Sequence, residues 1–178
     1  MRRMSRTAIL LSLIQRLKGH GSWCGETHIQ KATYFLEDLT KVPLDFEFIL
    51  YKHGPYSFDL NEEITILRAN NFLSLEVRPF PYGPSFGLGE NADDVLDRFP
   101  KTTEKYRAKL DYTAQKLGAL KVADLERLAT ALYVTLNEDG NPSERAHLIS
   151  KLKPHISLPD AQAAVESIDQ MIEEVKDI

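Results

Sequence analysis

Residues 46–60 read FEFILYKHGPYSFDL, a strand pattern followed by a turn and by the start of a helix. Phe46, Phe48 and Leu50 recur at every second position, which predicts a strand with one well-buried face. The Gly-Pro pair in the middle of the stretch is expected to end regular structure, and Ser57 can cap the helix that follows. The segments on either side complete a fold around this strand, turn and helix.

Two helices are predicted before this stretch. In the first, the i, i+3, i+4 and i+7 positions of one helical face are occupied by Leu10, Leu13, Ile14 and Leu17. The second is predicted over residues 28–41, because Thr27-His28-Ile29-Gln30 has the pattern of a capping box. A strand therefore follows two helices along the chain.

A third helix and a hairpin are predicted after the turn. The helix extends from Ser57 to Asn70, and residues 73–77 and 85–88 look like short strands around a proline-rich connection at 79–84. From Asn91 onward every signal is helical. The predicted fold is mainly α (α+β): a winged-helix-like half with a small sheet or wing, residues 1–90, packs against a helical half, residues 91–178, as one compact unit.

Composition and charge favour a folded cytoplasmic protein. The chain has 178 residues, of which 43% are hydrophobic and 27% charged, and these values are ordinary for a globular protein. Its lone cysteine, Cys24, fits a reducing compartment, and no stretch approaches the roughly 20 apolar residues that span a bilayer. The net charge of −4 would repel a phosphate backbone.

The residues that could bind a metal ion or act in catalysis do not form a recognisable site in the sequence. His20, Cys24 and His28 are each possible zinc ligands, but their spacing matches no compact zinc pattern, so separate structural roles are favoured. No signature around Cys24 supplies a base for a nucleophilic thiol. The hairpin glycines match no phosphate-binding or dinucleotide loop, and the paired acids lack a convergent histidine. We therefore predict no metal, no cofactor and no catalytic residue, and hence no enzyme.

The turn between the strand and the third helix contains polar and aromatic side chains that a turn does not require. Gly54 supplies backbone freedom, Pro55 fixes the turn and Ser57 caps the helix, but no structural role accounts for Lys52, His53 or Tyr56. A purely structural turn and a turn that also contacts a partner are both open at this stage. The candidate partner-binding residues are Tyr51, Lys52, His53, Gly54, Pro55, Tyr56 and Ser57.

Several segments together resemble a known family. They are THIQKATYFL at 27–36, FILYKHGPYS at 48–57, residues 67–73, and DLERLATALY at 124–133. This set resembles the YwgA-like bacterial proteins and, more distantly, the SocA-like or Panacea antitoxin domain, in which an LQK…YL helix precedes a YGP.S turn. The resemblance to Panacea implies a module that neutralises a toxin or an adaptor that delivers it to a protease. The resemblance to YwgA-like proteins implies a bacterial or phage-defence setting.

We therefore expect a non-catalytic module of antitoxin or adaptor type, whose protein partner is a toxin or protease machinery and which needs no membrane. The alternative is a winged-helix DNA-binding regulator. Such a regulator needs cations on its recognition helix and wing. The predicted third helix instead carries Asp59, Glu62 and Glu63 against Arg68, and the predicted wing offers Arg78 alone. The sequence thus favours a protein partner over DNA.

Overall fold

The computed structural model describes residues 1–77 and 83–178, which form a mainly helical protein with two small antiparallel sheets. The predicted fold class, mainly α with a small β component, is confirmed. Arg78 and residues 79–82 of the predicted connection lie outside the described residues. Within the described ranges the helices are α1 (Arg3–Gly19), α2 (Glu26–Tyr34), α3 (Phe58–Ala69), α4 (Ala92–Arg98), α5 (Pro100–Lys105), α6 (Arg107–Leu117), α7 (Val122–Asn137), α8 (Pro142–Leu152) and α9 (Leu158–Glu174).

Each sheet has two short strands. β1 (Ile49–Tyr51) pairs with β2 (Gly54–Tyr56), and β3 (Leu73–Glu76) pairs with β4 (Ser85–Leu88). Two details of the sequence interpretation were wrong. The strand predicted from residue 46 begins only at Ile49, where pairing with Tyr56 starts, and residues 46–48 belong to no strand of the described ranges. The Gly-Pro pair does not end regular structure but begins β2.

The core is built around α1, which is buried along most of its length. Its neighbours are α2, α4, α5, α6 and β4, so it presents few residues to water. This environment explains why its apolar residues are not confined to one stripe, since a helix that is covered on several sides can be apolar on several sides. One hydrophobic core includes buried residues from both predicted halves of the chain.

The C-terminal helices form a layer that supports the β1–β2 hairpin. The helices α7, α8 and α9 pack on one another, and α7 also contacts α2 and β2. A π-helical turn, Phe35–Leu39, continues α2, and a 3-10 turn, Val175–Asp177, follows α9. Among the helices of the described ranges, none is long and apolar enough to cross a membrane.

The helix starts show where local capping signals succeed and fail. The side chain of Ser57 caps α3 by accepting a hydrogen bond from the Leu60 N–H at 3.2 Å, as predicted. The capping box predicted at Thr27 is wrong, because α2 begins at Glu26 without a side-chain cap. The side chain of Gln30, the last residue of that predicted box, contacts a distant segment instead.

Candidate functional site

The β1–β2 hairpin holds all the predicted partner-binding residues on one tight structure. Tyr51 pairs with Gly54, so only Lys52 and His53 form the turn between the strands. Gly54 has a φ of +85°, a backbone conformation that side chains disfavour. A Cβ at this position would lie 3.1 Å from the Thr130 hydroxyl oxygen on α7. Glycine therefore permits both the turn and its close approach to α7.

Polar side chains of α2 form hydrogen bonds with the main chain of the hairpin and of the residue that follows it. The Gln30 Nε2 donates to the Ser57 carbonyl, and the Gln30 Oε1 accepts from the Ser57 N–H, both at 2.9 Å. The Lys31 Nζ donates to the Pro55 carbonyl at 2.7 Å. All of these groups are buried. Because buried polar groups are costly without partners, these bonds fix the hairpin against α2.

A second lysine, in the segment that follows α8, binds the turn itself. The Nζ of Lys153, which follows α8, donates to the Lys52 carbonyl at 2.6 Å and also to the Tyr51 carbonyl. Lys153 is buried, and desolvation lowers the pKa of its ammonium group. The turn between β1 and β2 is thus bound by a residue about a hundred positions away along the chain.

A carboxylate balances these two buried cations. Glu126 of α7 is buried, and its Oε1 lies 3.0 Å from the His155 Nε2, while its Oε2 lies 3.5 Å from the His53 Nδ1. The pKa of Lys31 is lowered to about 8, chiefly by burial and also by the neighbouring Lys153, whereas Glu126 acts in the opposite direction. The site under the hairpin is therefore a network of charges in a poorly hydrated environment.

Three aromatic rings form an exposed cluster on the outer side of the hairpin, and we call Tyr51, Tyr56 and Phe58 the aromatic cluster. The ring centroids of Tyr51 and Phe58 are 5.7 Å apart, those of Tyr56 and Phe58 are 5.1 Å apart, and those of Tyr51 and Tyr56 are 5.8 Å apart. Tyr51 is 53% exposed and Phe58 is 57% exposed. Rings at these separations stabilise one another even without full burial.

A cavity of about 280 Å³ separates the hairpin from the start of α2. Its wall includes Lys31, Tyr51 and Tyr56. The Tyr56 hydroxyl donates to Glu26 Oε1 at 2.9 Å. Desolvation and this bond to a carboxylate raise the pKa of Tyr56 to about 12. The ring of Tyr56 is therefore anchored, whereas those of Tyr51 and Phe58 are the more accessible surface.

The seven predicted site residues divide by exposure. Tyr51, Lys52 and His53 are exposed, and Tyr56 is half-buried. Gly54, Pro55 and Ser57 are buried, so these three shape the hairpin and present no side chain to a partner.

The sequence analysis missed the residues that support the hairpin and one residue of the aromatic cluster. The missed residues are Gln30, Lys31, Phe58, Glu126 and Lys153. For two of them the sequence contained an indirect indication. Gln30 and Lys31 lie between the apolar residues Ile29 and Ala32 of the predicted helix, where a polar residue can be buried with a specific partner.

The three possible zinc ligands have separate surroundings. Cys24 is buried with its Sγ 3.7 Å from the Ile14 carbonyl oxygen, and burial raises the pKa of its thiol. The His28 Nε2 lies 2.9 Å from the Leu120 carbonyl oxygen, and His20 follows the last turn of α1. No group of three or more His, Cys, Asp or Glu side chains in residues 1–77 and 83–178 could hold a metal ion.

Comparisons with known proteins do not add an identity to this site. No protein-family model matches the chain, and no curated protein is significantly similar to it. The function is therefore inferred from the hairpin, the aromatic cluster and the buried groups beneath them.

Proposed function

We propose that this chain is a non-catalytic protein-binding module of the antitoxin or adaptor type, and that it holds its partner with the aromatic cluster. The observation that carries the proposal is the exposure of Tyr51 and Phe58, each more than half accessible although their rings are in contact. Exposed aromatic side chains are enriched among the residues that dominate binding energy at protein interfaces. A contiguous exposed apolar patch is also a usual mark of an interaction site.

The support beneath the hairpin favours binding through this surface. Gln30, Lys31 and Lys153 fix four main-chain carbonyls of the hairpin and of the residue after it. A surface that is already ordered loses little conformational entropy when a partner binds. Tyrosine adds large contact area with few rotatable bonds. Lys52 is exposed beside the aromatic cluster, so acidic groups on the partner would complement it.

The proposed setting is the bacterial cytoplasm, with a toxin or protease machinery as the partner and with the YwgA-like and Panacea-like proteins as the proposed relatives. One contact supports this relationship: Lys31, in the first quoted motif segment, binds the main chain of Pro55 in the second. These two of the four segments that carry the resemblance are therefore in contact. The buried free thiol of Cys24 suits a reducing compartment.

The test is capture of the partner followed by binding measurements with purified proteins. The tagged chain is used to isolate proteins from bacterial cells, and each one captured is identified, purified and titrated against the chain. We expect Tyr51→Ala combined with Phe58→Ala to weaken the complex by a factor of about ten or more, as loss of a hot spot does. The matched control is Val122→Ala with Ile178→Ala, since both residues are exposed and apolar but lie outside the hairpin.

The result also separates the two forms of the proposal. An antitoxin should restore growth to cells that express its captured partner, and an adaptor should accelerate the partner's proteolysis. Equal affinity of the parent and of the Tyr51→Ala, Phe58→Ala protein, with both folded by circular dichroism, would show that the aromatic cluster is not the binding surface.

A further inference from the structure

A cleft of about 420 Å³ lies between the π-helical turn, residues 46–48 before β1 and the end of α7. Its volume is in the range of small-molecule sites. The residues of its wall that matter to the argument are Tyr34, Asp38, Lys41, Glu47, Phe48 and Tyr133.

Tyr34 supplies a polar group without a partner at this cleft. Its side chain is 1% exposed, and its hydroxyl has no hydrogen-bond partner within the described parts of the chain. Burial raises the pKa of this hydroxyl, and the charges of Asp38 and Tyr133 raise it further. An orphaned buried hydroxyl is rare in folded proteins and needs an explanation, for which a bound ligand is one.

The electrostatics of the cleft favour a cation. Burial raises the pKa of Asp38 despite the attraction of Lys41, so this carboxyl is poorly solvated. Glu47 adds a second acidic side chain to the wall. The negative ends of two helices also meet here, because α7 ends at Asn137 and the π-helical turn ends at Leu39.

Nearby basic groups neutralise part of this negative potential. The last turn of α7 contains no basic residue. The carbonyl of Thr40, just after the π-helical turn, already accepts a hydrogen bond from the Lys109 Nζ at 2.5 Å. Lys41 is exposed. Asp38, Glu47 and the end of α7 thus keep a negative potential at the cleft.

Aromatic rings line the same cleft. The rings of Tyr34 and Phe48 are in contact, with centroids 5.0 Å apart, and Tyr133 contributes to the wall. Phe46 also lines the cleft, and the guanidinium carbon of Arg6 lies 4.7 Å from the centre of its ring. Faces of aromatic rings attract cations, and ammonium groups are recognised by such rings together with a carboxylate.

We propose that this cleft binds an organic ammonium group, with Asp38 as the counter-ion, the Tyr34 hydroxyl as a hydrogen-bond acceptor, and the rings of Phe48 and Tyr133 as walls. The ammonium group belongs either to a free small amine or to a lysine side chain of a peptide. None of these residues is part of the aromatic cluster, so ammonium binding in the cleft is independent of partner binding through that cluster.

Isothermal titration calorimetry tests the proposal with two probes, putrescine and the peptide acetyl-Gly-Lys-Gly-amide. We expect at least one to bind, while 1,4-butanediol, which replaces the amines of putrescine by hydroxyls, does not. Tighter binding of putrescine identifies a free amine as the ligand, and tighter binding of the peptide identifies a lysine side chain. Absence of binding by both probes at about 10 mM overturns the proposal.

Variants assign the binding to the cleft. Asp38→Asn should weaken binding by about tenfold or more, whereas Asp94→Asn, which removes the same charge from an exposed position on α4, should leave it unchanged. Tyr34→Phe should preserve the fold, since the hydroxyl it removes has no partner, but should also weaken binding. This variant keeps the test decisive if Asp38→Asn does not fold. If Asp38→Asn folds and binds the probe as tightly as the parent, the assignment to this cleft is overturned. If only Tyr34→Phe folds, parental affinity in that variant overturns the assignment.

Discussion

The side-chain amide of Gln30 satisfies both main-chain polar groups of Ser57, with each of the two hydrogen bonds 2.9 Å long. Ser57 is fully buried and its hydroxyl also caps α3. Gln30 therefore joins α2 to the end of β2 and, through Ser57, to the start of α3. The position of the aromatic cluster relative to the core depends on this junction.

Replacing Gln30 should destabilise the protein more than its small contact area implies. Gln30→Ala leaves the Ser57 N–H buried without a partner, at a cost of about 1–3 kcal/mol, whereas the Ser57 carbonyl still accepts from the Asn61 N–H at 3.2 Å. We expect the free energy of unfolding in urea to fall by about 2 kcal/mol. Gln162→Ala, an exposed substitution on α9, should change it by less than about 0.5 kcal/mol. Similar small losses in both variants would mean that the amide contributes little to the junction.

Gly54 should tolerate no side chain, in contrast to Gly19. With a φ of +85° and a new Cβ 3.1 Å from the Thr130 hydroxyl, Gly54→Ala should lower the free energy of unfolding by about 1–3 kcal/mol. Gly19→Ala has no atom within 4 Å of the new Cβ and an ordinary φ, so it should be neutral or stabilising. Thermal denaturation of both variants compares them directly. A Gly54→Ala protein as stable as the parent would show that the turn adjusts without cost.

The sequence indicated the local elements of this site better than its long-range contacts. The cap at Ser57 was predictable because a cap depends on residues within one turn of it. The alternation of Phe46 and Phe48 predicted a strand that in the structure begins only at Ile49, because alternation reports burial and not the presence of a partner strand. Gln30 was assigned to a capping box because a local pattern cannot reveal a partner 27 residues away. Phe58 was overlooked since exposure depends on what the rest of the chain covers.

The buried ammonium group of Lys31 should make stability rise with pH in the alkaline range. Its pKa is about 8 in the folded protein and 10.5 when unperturbed, so between these values the unfolded chain binds more protons than the folded one. Stability therefore increases as pH rises through this window, by an amount on the order of 3 kcal/mol when the shift is fully expressed. Below pH 8 both states are protonated and this contribution is constant.

Substitution of Lys31 isolates its contribution from those of other groups that titrate in the same range. Between pH 7.5 and pH 10 the free energy of unfolding of the parent should rise relative to that of Lys31→Met. The rise should be roughly the amount that the pKa shift of Lys31 predicts. Lys151→Met, which replaces an exposed lysine of α8, is the matched control for the loss of a lysine side chain. A pH-independent difference for Lys31→Met would mean that Lys31 is well solvated in the folded protein.

DNA binding should be weak, because the helix that a winged-helix protein would place in the major groove is acidic here. The exposed Asp59 and Glu62 of α3 face solvent. The buried Glu63 pairs with Arg3 at 3.3 Å and Arg6 at 3.7 Å, which occupies two cations of α1. Fluorescence anisotropy with a labelled duplex should show only weak, non-specific binding at physiological salt. A nanomolar, sequence-specific complex would instead favour the regulator over the protein-binding module.

Charge reversal on α3 provides the internal control for that measurement. Asp59→Lys combined with Glu62→Lys turns the exposed acids of the helix into cations without changing its buried residues. If α3 is accessible to DNA, the variant should gain non-specific affinity, and each new phosphate contact should steepen the dependence of log K on log salt by about 0.9. A gain of this kind shows that the assay detects binding through α3, so weak binding by the parent reflects its own acidic surface. The absence of a gain would show that α3 cannot reach a duplex, in which case acidity is not the reason for weak binding.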